Sequence, residues 1–218
     1  MGVPDLRRSL AVYVVTSAGL VPGRGHVEVA RAAIEGGAGA VQLRAPELEE
    51  QPGELLPLAT GLAALCRARG VLFIVNDRVD VAIQSGADGV HLGQGDAVLG
   101  VRDRLGRDGV LGLSVETPDQ AKEAERMGAE YLGVTVFETK TKPEAKPVGL
   151  DGLRAIVVVT HLPVVGIGGI DPSNAPQVLA AGAAGVAVVS AVGGAEDPAG
   201  ATRELVRVVR GFLGGQNP

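Results

Sequence analysis

The sequence predicts a single-domain α/β fold, the (β/α)8 TIM barrel, and three observations lead to it. Apolar, β-branched segments typical of buried parallel strands alternate eight times with segments of helical periodicity. The phrases GGAGAV, SGADGV, MGAEYL and AGAAGV each end a helix and begin a strand, so one turn type recurs at matching positions. A length of 218 residues suits one such barrel. An open, doubly wound sheet is the alternative, because this pattern does not prove closure.

Each predicted element follows from its own residues. Strands are expected where short apolar runs lie between turn residues, at 10–16, 40–43, 71–75, 88–92, 110–113, 130–136, 163–167 and 185–190. Helices are expected at 27–35, 54–69, 79–85, 97–105, 117–127, 150–158, 172–181 and 198–213. The clearest helix start has Thr117 as N-cap, Pro118 at the first position and Gln120 at the third. The domain is expected to span 1–218, with loose termini at 1–9 and 214–218.

Composition and charge exclude several function classes. A net charge of -5 and a pI near 5.3 indicate neither a nucleic-acid partner nor binding to an anionic membrane. The single cysteine, Cys66, excludes a disulfide framework and a cysteine-based zinc site, and its helical context predicts a small buried side chain. No segment has the apolar length of a membrane span or a secretory signal, so we expect a cytoplasmic protein. The oligomeric state stays open, a homo-oligomer included.

Two acidic residues mark the centre of the predicted site. Asp77 follows the third strand and Asp96 follows the fourth. In a parallel β/α fold the carboxyl ends of consecutive strands lie at one edge, where active sites form. Mg²⁺ commonly binds one or two carboxylates and completes its shell with water and substrate phosphates. The pair therefore predicts Mg²⁺ and a phosphorylated small-molecule substrate, whereas helix N-capping is the alternative role for either residue.

Other strand ends carry side chains suited to binding anions. Gln42 and Arg44 point the same way at the end of strand two, and the guanidinium fork suits phosphate oxygens. A surface ion pair of Arg44 with Glu47 is the alternative. Ser114 follows strand five, either as a phosphate donor or as an ordinary helix cap. His91, on strand four, is expected to be a structural, hydrogen-bonded histidine more than an acid or base.

The ends of strands six to eight predict a second group of anion contacts. Thr139, Lys140, Thr141 and Lys142 lie in the longest irregular stretch, 137–148, and could cover a polyphosphate as a lid, the alternative being a solvated charged loop. Strands seven and eight end in GIGG and VVS, where backbone N–H groups commonly bind phosphate in this barrel. Two phosphate sites, one at each end of the cavity, are therefore expected.

Taken together, the motifs resemble thiamine-phosphate synthase over almost the whole chain. They are QLR (42–44), NDRVDVA (76–82), GVHLGQGD (89–96), GLS (112–114), TKTKPEA (139–145), GIGGI (166–170) and GVAVVSA (185–191). The resemblance implies a transferase that couples hydroxymethylpyrimidine diphosphate with hydroxyethylthiazole phosphate and releases pyrophosphate. It implies Mg²⁺ on Asp77 and Asp96, with the diphosphate contacted by Gln42, Arg44, Asn76, Ser114 and Lys142, of which Arg44, Ser114 and Lys142 would assist the reaction. Thr139, Thr141, Gly169, Val189 and Ser190 would bind the thiazole phosphate.

Three departures from the family pattern keep alternatives open. Pro46 stands where the family usually has a lysine, so one diphosphate contact is missing or comes from Lys140 or Lys146. The family's Gly-Pro before the sixth-strand loop is absent, and the segment 137–139 also resembles the related thiazole tautomerase. The tautomerase typically has a histidine where this chain has Thr135. It also lacks the acidic residue that ends the HLGQGD motif, which is Asp96 in this chain. A non-catalytic phosphate-binding relative is the third possibility.

Overall fold

Eight parallel strands close into one barrel in the computed structural model, which describes residues 5–48, 51–93, 98–141 and 145–215. The strands are β1 (Val12–Thr16), β2 (Ala40–Leu43), β3 (Leu72–Asn76), β4 (Gly89–Leu92), β5 (Val110–Ser114), β6 (Tyr131–Thr135), β7 (Val164–Ile167) and β8 (Gly185–Val188). Strand β1 pairs with both β2 and β8, and the pairing of Val14 with Val41 and Val188 closes the ring. The predicted TIM barrel is confirmed, and the open-sheet alternative is wrong.

Helices follow the strands around the outside of the barrel. They are α1 (Leu6–Ser9), α2 (His26–Glu35), α3 (Pro52–Arg67), α4 (Val79–Ser85), α5 (Val101–Leu105), α6 (Pro118–Arg126), α7 (Gly149–Val157), α8 (Ala175–Ala180), α9 (Ser190–Gly193) and α10 (Pro198–Gly214). A 3₁₀ turn at Pro46–Leu48 follows β2. The predicted capping box of α6 is present, because Thr117 accepts from the Gln120 N–H and Gln120 accepts from the Thr117 N–H. Within the described ranges, no helix is both long and apolar enough to cross a bilayer.

Apolar side chains form two cores, one on each side of the strand layer. The outer core joins strands to helices and consists mainly of Val, Leu, Ile and Ala. Burying each larger aliphatic side chain there contributes roughly 1.5–3 kcal/mol. Cys66 is fully buried in this layer, and burial, with the nearby Asp88 charge, raises the pKa of its thiol to about 12. The inner core fills the barrel and contains both tyrosines of the chain, Tyr13 and Tyr131.

Many boundaries differ from the sequence prediction by a few residues, and the differences at α8 and α5 have local reasons. Helix α8 begins at Ala175 rather than 172, because the Asp171 carboxylate accepts from the Ser173 N–H and hydroxyl and holds a turn. Those bonds lower the pKa of Asp171. Strand β8 ends at Val188 rather than 190. Helix α5 begins only after Gly100, whose φ of 77° lies in the left-handed region that an α-helix excludes.

The termini also differ from their predicted description in part. Leu6–Ser9, inside the segment 1–9 that was expected to be loose, forms the short helix α1, and Ser9 is buried. At the other end, α10 extends to Gly214. Residues 1–4 and 216–218 lie outside the described ranges. The barrel therefore has structured residues closer to each end of the chain than the pattern indicated.

Candidate active site

One cavity opens at the carboxyl ends of the strands and collects predicted site residues from most of the barrel. Parallel strands end at the same rim, so residues far apart in sequence lie beside one another there. The cavity lining includes Gln42, Arg44, Asn76, Ser114, Thr139, Thr141, Gly169, Val189 and Ser190. Those predicted contacts thus share one enclosed space, and their individual roles remain predictions.

The wall formed by β2 carries Gln42 and Arg44. Gln42 is buried and donates from Nε2 to the Tyr13 hydroxyl at 2.7 Å. Arg44 is half-buried and lines the cavity. The alternative pairing of Arg44 with Glu47 is wrong, because Glu47 contacts His26 instead. The Arg44 guanidinium is therefore placed at the cavity instead of in a surface ion pair.

Asn76 and Asp77 lie where β3 ends. Asp77 has a φ of 59°, and it is the only non-glycine among the described residues with a positive φ. Such backbone conformations cost free energy and tend to occur at functional sites. The Asn76 amide lies 2.5 Å from the Asp77 carboxylate. Arg78 stands at the N-cap position of α4, one residue after Asp77, and metal binding by Asp77 stays a prediction.

A chain of hydrogen bonds crosses the barrel along the cavity, and all of its members contribute to the cavity lining. From Gln42 it continues through Tyr13 to the Tyr131 hydroxyl at 3.0 Å, then to His91 Nδ1 at 2.9 Å. His91 Nε2 lies 2.9 Å from the Ser114 hydroxyl. Ser114 is thus engaged by His91 and does not cap a helix, since Thr117 caps α6. The hydrogen-bonded role expected for His91 agrees with this geometry.

The loop after β6 meets the turn after β7 across the cavity mouth. Thr139 and Thr141 bond to each other through their hydroxyls at 2.9 Å. Gly168 and Gly169 have φ values of 89° and 59°, and a methyl group on Gly169 would lie 2.6 Å from the Glu138 carbonyl oxygen. Glycine is therefore required at position 169 both by backbone conformation and by the close approach of the loop.

Two of the predicted phosphate contacts, Val189 and Ser190, lie on the opposite side of the cavity at the start of a helix. Val189 follows β8, and Ser190 begins α9. The first N–H groups of any helix lack intrahelical acceptors, so they remain available to a ligand. Asp96 and Lys142 lie outside the described residues, as does the family segment between Thr141 and Ala145. Within the described ranges, no three His, Cys, Asp or Glu residues cluster as a metal site.

One cluster that sequence reasoning missed holds the β2 loop in place. His26 is buried at the start of α2, with Nδ1 2.8 Å from the Thr16 hydroxyl and Nε2 2.6 Å from the Glu47 carboxylate. Glu47 belongs to the 3₁₀ turn that follows Arg44. The three residues are separated in sequence and share no motif. Only the pairing of β1 with β2 in the folded sheet reveals that they meet.

Comparisons with known proteins place the chain in a family. Residues 12–192 match the family model described as thiamine monophosphate synthase. A thiamine-phosphate synthase from Moorella thermoacetica is 49% identical over 201 residues, which are 91% of this chain and 95% of that protein. The enzyme of that name from Pyrococcus furiosus is 45% identical and covers 96% of this chain and 100% of its own length.

The chain belongs to the thiamine monophosphate synthase family. A solved structure, a thiamine phosphate pyrophosphorylase from Pyrococcus furiosus, superposes with a TM-score of 0.86 at 43% identity, covering 96% of this chain and 100% of that one. A 3-hexulose-6-phosphate synthase, at 21% identity and a TM-score of 0.70, shares the fold alone. Membership of the thiamine monophosphate synthase family confirms the predicted resemblance and the transferase class. None of these relatives supports the tautomerase or the non-catalytic alternative.

Proposed function

We propose that this protein couples hydroxymethylpyrimidine diphosphate with hydroxyethylthiazole phosphate to give thiamine phosphate and pyrophosphate. The observation that carries the proposal is the cavity described above, whose lining combines those diphosphate contacts and thiazole-phosphate contacts implied by the family motifs that lie in the described residues. Family membership, with named relatives that cover almost all of this chain, supports the same reaction. The proposed partners are small phosphorylated molecules, with no nucleic acid or membrane involved.

The reaction requires a leaving group to be stabilised, and the described side chains suit that task. The bond between the pyrimidine methylene and the diphosphate oxygen breaks, its electron pair leaves with pyrophosphate, and the methylene then joins the thiazole partner. Positive and hydrogen-bonding groups aimed at the departing oxygens lower the barrier. Arg44 and Ser114 line the cavity, and they are proposed to contact the departing oxygens together with Lys142.

Mg²⁺ is proposed as the cofactor, held by Asp77 and Asp96. The fit rests on the Asp77 carboxylate. Asp77 directly follows β3, and its backbone conformation is rare outside glycine. When bound, Mg²⁺ would neutralise charge on the diphosphate. Magnesium ions commonly use only one or two carboxylates, so a large acidic cluster is not needed. Asn76, bonded to Asp77, would orient that carboxylate and also face the substrate.

The second phosphate is proposed to bind opposite this wall. Thr139 and Thr141 would supply hydroxyls, and Gly169, Val189 and Ser190 would supply backbone N–H groups. Backbone donors suit a phosphate because they are fixed by the fold and carry no side-chain entropy. The loop that carries the threonines would act as the lid over the polyphosphate. Lys140 or Lys146, both of which are exposed, would replace the charge lost at Pro46.

Pyrophosphate release, measured with both substrates and Mg²⁺, tests the proposal. We expect release that depends on the thiazole phosphate, stops when the metal is chelated, and falls by a factor on the order of 10²–10³ in Asp77→Ala. Asp119→Ala, which removes an almost fully exposed carboxylate on α6, is the matched control and should retain activity. Release that persists in chelator, or an active Asp77→Ala variant, would contradict the proposed metal site. Absence of thiamine phosphate among the products would contradict the proposed reaction.

A further inference from the structure

We propose that Tyr13, Tyr131 and His91 are positioning residues that fix which atoms the cavity wall offers as hydrogen-bond donors and acceptors. They form a buried relay with Gln42 at one end and Ser114 at the other. The proposal deepens the proposed function, because it assigns roles to three residues that the family motifs did not assign. It rests on the direction in which hydrogen atoms point along the relay.

The direction is set at Gln42. An amide nitrogen donates and does not accept, so the 2.7 Å contact from Gln42 Nε2 makes the Tyr13 oxygen an acceptor. Only 2% of Tyr13 is exposed, so its own O–H must find an acceptor inside the barrel. The Tyr131 oxygen, 3.0 Å away, supplies that acceptor. The hydrogens of the relay therefore point from Gln42 towards Tyr131.

The hydrogen atoms between Tyr131 and Ser114 have the same direction. Tyr131 is fully buried, and having accepted from Tyr13 it donates to His91 Nδ1 at 2.9 Å. A ring nitrogen that accepts carries no proton, so a neutral His91 holds its proton on Nε2 and donates it to the Ser114 oxygen. Burial raises the pKa of both tyrosines, so the phenols stay protonated throughout the physiological range.

The relay fixes the hydrogen-bonding groups at the two ends of the wall. Ser114 already accepts from His91, so its hydroxyl hydrogen is directed to an acceptor atom of the ligand in the cavity. Donation from Nε2 to Tyr13 fixes the orientation of the Gln42 amide, so its carbonyl oxygen is an acceptor for a ligand donor, while the second hydrogen on Nε2 remains a donor. A heteroaromatic ring with one acceptor and one N–H donor fits such a wall.

Two strand glycines provide the space that the relay occupies. Neither Gly112 nor Gly133 has a positive φ, so backbone conformation does not require glycine at these positions. A methyl group on Gly133 would lie 2.9 Å from His91 Cε1, and one on Gly112 would overlap the Tyr131 ring. In the register of β5 and β6, Gly112 lies opposite Tyr131 and Gly133 lies opposite Ser114, so both glycines are neighbours of relay residues. The lack of a side chain at Gly112 and Gly133 therefore leaves room for the rings of Tyr131 and His91.

Nitrogen NMR of the histidine rings tests the direction without reference to activity. The chain has three histidines, and His91→Gln identifies the signals of residue 91. In the full-length protein at neutral pH, we expect a pyridine-like Nδ1 and a pyrrole-like Nε2 for His91, and loss of that preference in Tyr131→Phe. A pyrrole-like Nδ1, or an imidazolium ring, in the unsubstituted protein would overturn the proposal, because the relay would then run the other way.

Kinetics test whether the relay matters for the substrate. We expect Tyr131→Phe to lower kcat/KM for the pyrimidine diphosphate about tenfold while KM for the thiazole phosphate changes less than about threefold. Thr202→Val is the matched control, because it removes a buried hydroxyl on α10, remote from the cavity, that donates to the Pro198 carbonyl. It should lower the Tm comparably and leave kcat/KM unchanged.

The two tests separate failure of the relay from failure of the proposed reaction. If the unsubstituted protein releases no pyrophosphate, the reaction is wrong, whereas the His91 tautomer still decides the relay. If Tyr131→Phe folds and keeps full kcat/KM for the pyrimidine diphosphate, the relay does not position the substrate and the proposal is overturned. If that variant does not fold, the nitrogen NMR spectrum of His91 in the unsubstituted protein decides whether the relay has the proposed direction.

Discussion

The two sides of the cavity are built by different means. On the side of β2 to β5, the wall consists of side chains, and Gln42 and Ser114 are tied together through the barrel interior. On the side of β7 and β8, the wall consists largely of backbone, with Gly168 and Gly169 in left-handed conformations. A single substitution on the side of β2 to β5 can change which hydrogen-bonding or charged groups face the cavity. The second wall depends on chain path, so the substitutions that damage it are those that add bulk.

The largest expected effect concerns the side-chain wall at Arg44. We expect Arg44→Ala to lower kcat/KM for the pyrimidine diphosphate by a factor on the order of 10²–10³, because a charged donor to the leaving group is lost. Arg44→Lys should recover only part of this, since an ammonium cannot replace the planar guanidinium fork. Steady-state kinetics with each substrate varied in turn would measure both. A larger change in KM for the thiazole phosphate than for the pyrimidine diphosphate would show that Arg44 binds the thiazole phosphate, contrary to this prediction.

The corresponding test of the backbone wall is Gly169→Ala. The added methyl group would meet the Glu138 carbonyl oxygen at 2.6 Å, on a residue with a φ of 59°. We expect KM for the thiazole phosphate to rise roughly tenfold or more, because displaced N–H groups no longer point at the phosphate.

Gly70→Ala is the matched control for that substitution. Gly70 has a similar φ of 65°, but no atom lies within 4 Å of the position its Cβ would occupy. The Gly70→Ala variant should lose about 1 kcal/mol of unfolding free energy, because alanine is strained in the left-handed region, and its kinetics should be normal. Equal kinetic effects of the two substitutions would show that strain alone, and not the close approach at the cavity, explains the loss.

The contrast also explains what sequence could predict. Side chains that bind anions or metal ions, such as Arg44, Ser114 and Asp77, stand out at the ends of apolar runs, so these members of the candidate site could be predicted from the sequence. The glycine turn was predicted because GIGG is conspicuous. Repeated turns and apolar runs were enough to predict the barrel, and strand ends were wrong by only one or two residues because flanking apolar residues continue past them.

Contacts made across the ring were beyond sequence reasoning. Tyr13 and Tyr131 are 118 positions apart, and nothing local distinguishes them from ordinary core residues. The one available signal was that the chain's only two tyrosines both fall in predicted strands. The pairing of His26 with Glu47 likewise depends on how β1 and β2 align. Local patterns therefore identify the strands, whereas the register of the closed sheet decides which side chains meet.

Two serines offer a finer test of the comparison. Ser114→Ala removes the last hydroxyl of the side-chain wall, and we expect kcat/KM for the pyrimidine diphosphate to fall about tenfold. Ser190→Ala removes a hydroxyl from the backbone wall but leaves its N–H groups, so KM for the thiazole phosphate should change less than about threefold. A strong effect of Ser190→Ala would show that the second wall also binds through a side chain.

The smallest expected effect on catalysis comes from the cluster behind the side-chain wall. His26→Ala removes the contacts to Thr16 and Glu47, and we expect it to lower the free energy of unfolding by about 1–3 kcal/mol. KM for the diphosphate should rise only a few-fold, because Arg44 is held by β2 as well as by the turn that contains Glu47. His161→Ala, at an exposed position, is the control and should change neither quantity. Denaturant unfolding and steady-state kinetics measure both, and a loss of activity as large as that of Arg44→Ala would mean that this cluster, more than the strand, positions the guanidinium.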